Sequence, residues 1–224
     1  MTVHMHYRIR GILIRSENAA KPMRRAAGPL VEWLRQRPYT VSALDYGCGK
    51  LRYTLHLAAR SRDLGILDSM VQLSRIQRIG GRMTSVRQYA HERWPNCRIY
   101  DLAQFWEGVP HSYEFILCAN VLSAIPCPRA RARSLRALRS ALAPSGTLLV
   151  ANQHANSYFA EAKQKPEAFG HLDGWVLQSR SAAAYYGILN KESTIKILSR
   201  FGFAVVDAWV DGQSNYVLVN RGTA

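Results

Sequence analysis

The 224 residues carry 30 Lys and Arg against 15 Asp and Glu, a formal charge of +15, with 48% hydrophobic and 20% charged residues. A chain of this make-up reads as one globular domain burying roughly 70% of its unfolded surface. No apolar run nears the ~18 residues of a membrane span, Met1 to Arg15 lack a small-residue cleavage site, and Cys48, Cys97, Cys118 and Cys127 have neither CxxC nor Cys/His spacing. A membrane anchor, a signal peptide and a metal site are therefore not expected, and the thiols fit a reducing, cytoplasmic setting.

In chain order, residues 20–37 fit a helix with Leu30, Val31 and Leu34 inward, so residues 1–40 read as a helical cap. From Pro38 onward strands and helices alternate: strand 41–45, helix 51–61, strand 64–67, helix 69–79, helix 84–93, strand 97–100, strand 113–119, helix 129–142, strand 146–151, helix 191–200, strand 203–210, strand 215–220. The alternation predicts a parallel α/β sheet with helices on both faces. The last two strands are joined by Val210-Asp211-Gly212-Gln213-Ser214, short enough for a hairpin and hence an antiparallel edge.

The charge is unevenly spread. Residues 1–100 hold 18 Lys and Arg against 6 Asp and Glu, and residues 141–224 are nearly balanced. An anionic partner for the N-terminal half, nucleic acid first among them, is one reading; the drift of a GC-rich genome, with 24 of the basic residues arginine, is the other. In helix 129–142, Leu135, Leu138 and Leu142 share a face opposite Arg129, Arg133 and Arg136. That helix reads first as a solvated outer face and second as a phosphate-tracking stripe.

The most informative segment is Asp45-Tyr46-Gly47-Cys48-Gly49-Lys50, where a strand turns into a helix. Glycines there let the backbone turn sharply and a ligand approach without a Cβ in the way. Asp68, at the end of the next strand, falls where a nucleotide-binding βαβ unit grips ribose hydroxyls.

These residues resemble the first motif of class I S-adenosylmethionine-dependent methyltransferases, Asp/Glu-x-Gly-x-Gly-x-Gly, with Leu51 standing where the third glycine falls. Residues 113–126 resemble that family's fourth strand and following loop, 142–150 the turn into its fifth strand, and 198–203 the end of its last helix. The resemblance implies a Rossmann-like fold: a seven-stranded, mostly parallel sheet flanked by helices, with an antiparallel C-terminal strand pair. It divides the chain into the cap, a cofactor-binding core at 41–151, a substrate or lid insertion at 152–190, and a final helix and strand pair at 191–224. It implies S-adenosylmethionine as cofactor. Gly47 and Gly49 would pass beneath its methionine part and Asp45 would hold its amino group. Asp68 would hold the ribose, while Asp101 and Leu102 would meet the adenine and Asn120 and Val121 would continue the wall. A strand-end turn or helix cap is the other reading of Asp101.

For an acceptor that must lose a proton, His154, just past the fifth strand, is the candidate base, with Tyr158, Tyr185 and Tyr186 behind it. A structural or substrate-shaping role is its alternative. Phe159, Phe169 and Trp175 of the insertion would shape the pocket. No Asp/Asn-Pro-Pro-Tyr motif follows the fourth strand, and Pro126-Cys127, which resembles the Pro-Cys of cytosine-C5 methyltransferases, follows a segment more like the small-molecule pattern. The reading is methyl transfer to O, N or C of a small molecule. The alternatives are an RNA or DNA methyltransferase, a cofactor user catalysing another reaction, and a binding subunit without turnover.

Overall fold

The computed structural model describes residues 6–154, 160–161, 163–179 and 182–222. A hairpin opens it, β1 (His6–Ile9) and β2 (Ile12–Arg15), followed by 3-10 turns at Ser16–Ala19 and Met23–Arg25 and helix α1 (Gly28–Gln36). Next come β3 (Thr40–Tyr46), α2 (Thr54–Ala58), β4 (Ser61–Asp68), α3 (Met70–Ser74), β5 (Gln77–Ile79), β6 (Arg82–Thr84), α4 (Val86–Arg93), β7 (Arg98–Asp101) and α5 (Leu102–Glu107). The second half holds β8 (Tyr113–Ala119), a 3-10 turn at Leu122–Ala124, α6 (Pro128–Ala141) and β9 (Leu142–Gln153). It closes with β10 (Phe169–His171), β11 (Gly174–Ser179), β12 (Ala182–Gly187), α7 (Lys191–Arg200), β13 (Phe203–Asp211) and β14 (Ser214–Arg221).

Seven strands form the central sheet in the order β13-β14-β9-β8-β3-β4-β7. Only β14 runs against its neighbours, pairing antiparallel with β9 and β13. Successive residues of a strand serve opposite faces. Ala43, Phe115, Leu117 and Leu149 pack with Leu30, Leu34, Leu57 and Val86 of α1, α2 and α4. Their neighbours Leu44, Ile116, Leu148 and Val150 pack with Phe105, Leu135, Leu138 and Leu198 of α5, α6 and α7. The chain runs outward from β3 through β4 to β7, then crosses back to β8 on the other side of β3. This reversal opens a crevice at the carboxyl ends of β3 and β8.

A second sheet, β1-β2-β12-β11-β10, lies apart from the first. β2 and β12 pair parallel, Ile14 opposite Ala183, so the N-terminal hairpin and the late insertion make one surface around Ile14, Val176 and Tyr185. The expected helical cap over 1–40 is thus replaced by a hairpin, two 3-10 turns and one short helix. Pro22, and Pro29 in the first turn of α1, keep residues 20–27 from joining the helix.

Two further expectations are corrected. The helix read over 69–79 stops at Ser74, and β5 and β6 follow as a hairpin closed by Gly80 and Gly81, both at positive φ (57° and 90°). A two-residue Gly-Gly loop with both residues left-handed matches strand twist, and that turn chemistry outweighs the helical spacing of the apolar residues. Residues 102–107, assigned to no element, form α5, which Asp101 and Gln104 start with reciprocal hydrogen bonds.

The arginine face of α6 serves the fold. Arg133 stacks on Trp106 and Arg136 on Phe201, while Arg139 donates to the carbonyls of Gly202 and Gly222. Arg131 is buried, donates to the Ile125 carbonyl at 2.7 Å, and forms a bidentate ion pair with Asp173 at the start of β11. The Tyr185 hydroxyl donates to the same carboxylate. His171 lies 3.0 Å from the Pro126 carbonyl, and Asn18 donates to that of Ala183. Together these contacts pin the second sheet against α6 and the loop before it, beside the crevice. Among the described residues no helix is long and apolar enough to cross a membrane.

Candidate functional site

The turn after β3 forms the crevice floor. The N–H groups of Gly47 and Cys48 both donate to the Leu67 carbonyl, at 2.8 and 2.9 Å, tying the turn to β4. Gly47 has φ +75°, and a Cβ there would sit 2.3 Å from Cγ2 of Val121. Only glycine therefore satisfies both the backbone and the opposing loop. Gly49 has φ +57°, with Ala20 3.5 Å from a hypothetical Cβ, so its demand is conformational and not spatial. Leu51 has φ +61° although it is not glycine, and its side chain is fully buried. The missing third glycine thus leaves the backbone in the glycine conformation, with a leucine carrying the strain.

Two carboxylates stand at this floor. Asp45 is buried and accepts from the Thr54 hydroxyl at 2.5 Å. Burial, and then the nearby Asp68, push its pKa up to about 7, against that hydrogen bond. Asp68 accepts from the N–H of Gly49 at 2.8 Å and of Ser69 at 2.7 Å. Burial raises it to about 6, opposed by those two donors.

Around the floor a crevice of about 870 Å³, open mouth included, is lined by Asp45, Gly47, Gly49, Asp68, Leu102, Asn120 and Val121 among others. Seven of the eight expected cofactor contacts therefore share one cavity. Asn120 takes φ +59°, which Asn tolerates. Its N–H donates to Ala151 and its side-chain oxygen accepts from the Gln153 N–H at 2.8 Å, clamping the ends of β8 and β9 together.

Asp101 is the exception. Its Oδ1 accepts from the N–H groups of Ala103 and Gln104, at 2.9 and 3.0 Å, and it is not among the residues lining the crevice. This is the helix-cap reading, with Oδ1 satisfying two orphan donors of α5. Leu102, the next residue, reaches the cavity instead.

His154 is also displaced from its expected place. Its Nδ1 lies 3.2 Å from the side-chain nitrogen of Asn215, its N–H donates to Gln213, and it does not line the crevice. Antiparallel pairing of β9 with β14 continues through Gln153 and turns the next side chain toward β14. Cys127 does not line the crevice either. Tyr185 and Tyr186 border a recess beside it, whereas Tyr158 and Phe159 lie outside the described residues.

Several lining residues carry no sequence signature of their own. Glu17 is buried, accepts from Ser69 at 2.7 Å through Oε1, and leaves Oε2 without a partner. Gln72 donates to the Gly49 carbonyl and leaves its buried Oε1 unpartnered. Both flank Asp68 in the same cavity. Glu17 is the sole acid before Glu32, a faint signal; Gln72 had none, being read as one polar residue of a long helix.

A family model described as a methyltransferase domain matches residues 7–208. The uncharacterized protein YmfD of Escherichia coli (strain K12) is 34% identical over 224 residues, covering 100% of both chains. Among solved structures, an S-adenosylmethionine-dependent methyltransferase from Clostridium acetobutylicum aligns with TM-score 0.63 at 12% identity, over 92% of this chain and 94% of that one. A 1,6-didemethyltoxoflavin-N1-methyltransferase from Burkholderia thailandensis, solved with its substrate and S-adenosylhomocysteine, aligns with TM-score 0.60 at 14% identity, over 88% and 78%.

Proposed function

We propose, since the chain belongs to the class I S-adenosylmethionine-dependent methyltransferases, that it moves a methyl group from S-adenosylmethionine to an O, N or C atom of a small-molecule acceptor. The observation that carries this reading is the shared cavity: a glycine turn, the strand-end acid Asp68 and the β8–β9 clamp at Asn120 meet at one crevice.

The cavity's chemistry fits the cofactor. Asp68, with the unpartnered buried oxygens of Glu17 and Gln72, offers acceptors suited to the hydroxyls of a ribose. Gly47 and Gly49 present bare backbone, and Leu102 and Val121 offer apolar surface for a flat base. When bound, S-adenosylmethionine supplies a methyl already activated by a positive sulfur, so the protein's task is chiefly to align the acceptor and exclude water. We read the second sheet, pinned by Arg131 and Asp173, as a lid that does both. The recess beside the lid, walled by Tyr185 and Tyr186, supports a small acceptor over a polymer.

Calorimetric titration with S-adenosylmethionine and S-adenosylhomocysteine tests the reading. Both should bind one per chain, with Asn120 and Gly47 variants weakened. A folded protein that binds neither would overturn it.

A further inference from the structure

The cavity is charge-separated. Glu17, Asp45 and Asp68 stand together at the floor, while Lys21 and Arg52 stand where the cavity runs on into two side recesses. Both residues line the cofactor cavity and both recesses. The first recess, about 400 Å³ with its opening, passes beneath the lid beside Ser123, Gln153, Tyr185 and Tyr186. The second continues past Tyr53 and Tyr216 to the exposed Arg25.

These cations lack counter-charges. Lys21 Nζ donates to the neutral Gln153 side chain at 3.2 Å, and the Arg52 guanidinium lies over the Tyr53 ring, 4.9 Å from its centroid. Neither forms an ion pair among the described residues, and the remaining residues contain no Asp or Glu that could supply one. The buried Nε of Arg52 has no acceptor. Burial, then Arg52 and Arg25, holds the Lys21 amine below its ordinary range. Arg131, by contrast, is paired with Asp173. Desolvated like charges left facing one another are costly unless something negative joins them.

We infer that the methyl acceptor is a small anion, whose carboxylate or phosphate is held by Lys21 and Arg52 in the recess beneath the lid, with Arg25 at the outer rim. This rests on the methyltransferase reading above. A guanidinium fork and a three-donor ammonium together satisfy the oxygens of either group. Tyr185 and Tyr186 would then flank the uncharged remainder of the acceptor.

The test uses the intact protein saturated with S-adenosylhomocysteine and titrated calorimetrically with citrate and with glycerol 3-phosphate. Glycerol and malonamide serve as neutral controls, and the two anions tell a carboxylate site from a phosphate site. At least one anion should bind at millimolar concentration or below, and the neutral compounds should not. Lys21→Gln and Arg52→Gln should each weaken it by about 10–100-fold, the loss expected for a charge-assisted hydrogen bond. Arg25→Gln, at an exposed position, should weaken it less. Nucleoside affinity should stay near wild type in all three. Binding of neither anion, or equal binding of the controls, would overturn the inference while leaving the cofactor reading intact. If S-adenosylhomocysteine affinity falls in step with anion affinity, the cations serve the cofactor's own carboxylate and the inference fails. Displacement of the anion by a short RNA or DNA that binds more tightly would overturn it in favour of a polymer. Absence of S-adenosylhomocysteine binding in the wild type would remove the reading beneath it, and the inference with it.

Discussion

The Asp68 carboxylate accepts the N–H of Gly49 across 2.8 Å, so the acid ending β4 braces the turn that leaves β3. One side chain thereby fixes the glycine turn and offers its remaining lone pairs to the crevice. Site geometry and cofactor contact are coupled through it.

Asp68→Asn should weaken S-adenosylhomocysteine binding by about 1.5–3 kcal/mol, the range for hydrogen bonds to a charged group. pH separates this from a loss of shape. Because the carboxyl titrates at about 6 in the folded chain, affinity should tighten as pH rises through 6 and then level off. Stability of the free protein should run the other way. Asp45 and Asp68 bind protons more strongly folded than unfolded, so their contribution is fully present below about pH 4 and is lost as pH rises through about 6 to 7. Calorimetry and thermal melts between pH 5 and 8 check both slopes, and in Asp68→Asn both should flatten.

Leu51 makes a claim about the backbone. Leu51→Ala should cost about 2–5 kcal/mol, as other buried leucine truncations do. Leu51→Gly removes the same side chain but suits φ +61°, so it should be more stable than the alanine variant by about 1 kcal/mol. Glycine is ordinarily the less stable of the two. Chemical denaturation of both variants decides it, and the usual order would mean the left-handed conformation carries no strain.

Arg131 and Asp173 should govern the lid. Arg131→Met strands a carboxylate that is 31% exposed, so the loss should fall at or below the low end of the ~3–5 kcal/mol seen for fully buried pairs. Amide exchange should quicken in β10–β12 while β3 and β8 keep their protection. Although burial raises the Asp173 pKa, hydrogen bonds from Arg131 and Tyr185 hold it below its usual value. Its contribution is therefore present above the ordinary carboxylate range and is lost as pH falls through the lower folded value. Uniform exchange across both sheets would argue that the lid is no separate unit.

His154→Ala should leave turnover within about threefold of wild type, since the side chain meets Asn215 and not the crevice. A fall of about 10²–10⁴ would restore the histidine as base. Steady-state rates of both proteins, with cofactor affinity measured alongside, distinguish the outcomes.

The central sheet was legible because its signals are local. Apolar runs of strand length, such as Tyr113–Ala119, bounded by turn residues, announce buried parallel strands. The turn at Gly47 and the acid at Asp68 were legible because both carry a backbone or charge demand that few other residues meet. The lid was not legible as a sheet. Its strands are four to six residues long in β2, β11 and β12, and the pairing that joins its two halves, β2 with β12, spans most of the sequence. Asp101 and His154 were placed by position along the fold, but each side chain is claimed by a nearer partner: the donors of α5 in one case and Asn215 in the other.

The parallel pairing of Ile14 with Ala183 also has a consequence for synthesis. The N-terminal hairpin leaves the ribosome well before the strand that covers its outer edge, which is made only after five of the seven central strands. Until then β2 presents a bare row of donors and acceptors, the kind of edge that recruits strands from other nascent chains. The hairpin is only four residues per strand, which keeps that exposure short, and Arg15 ends the strand with a charge. Ribosome-bound chains halted before β12 should therefore already hold the crevice floor while still lacking its roof.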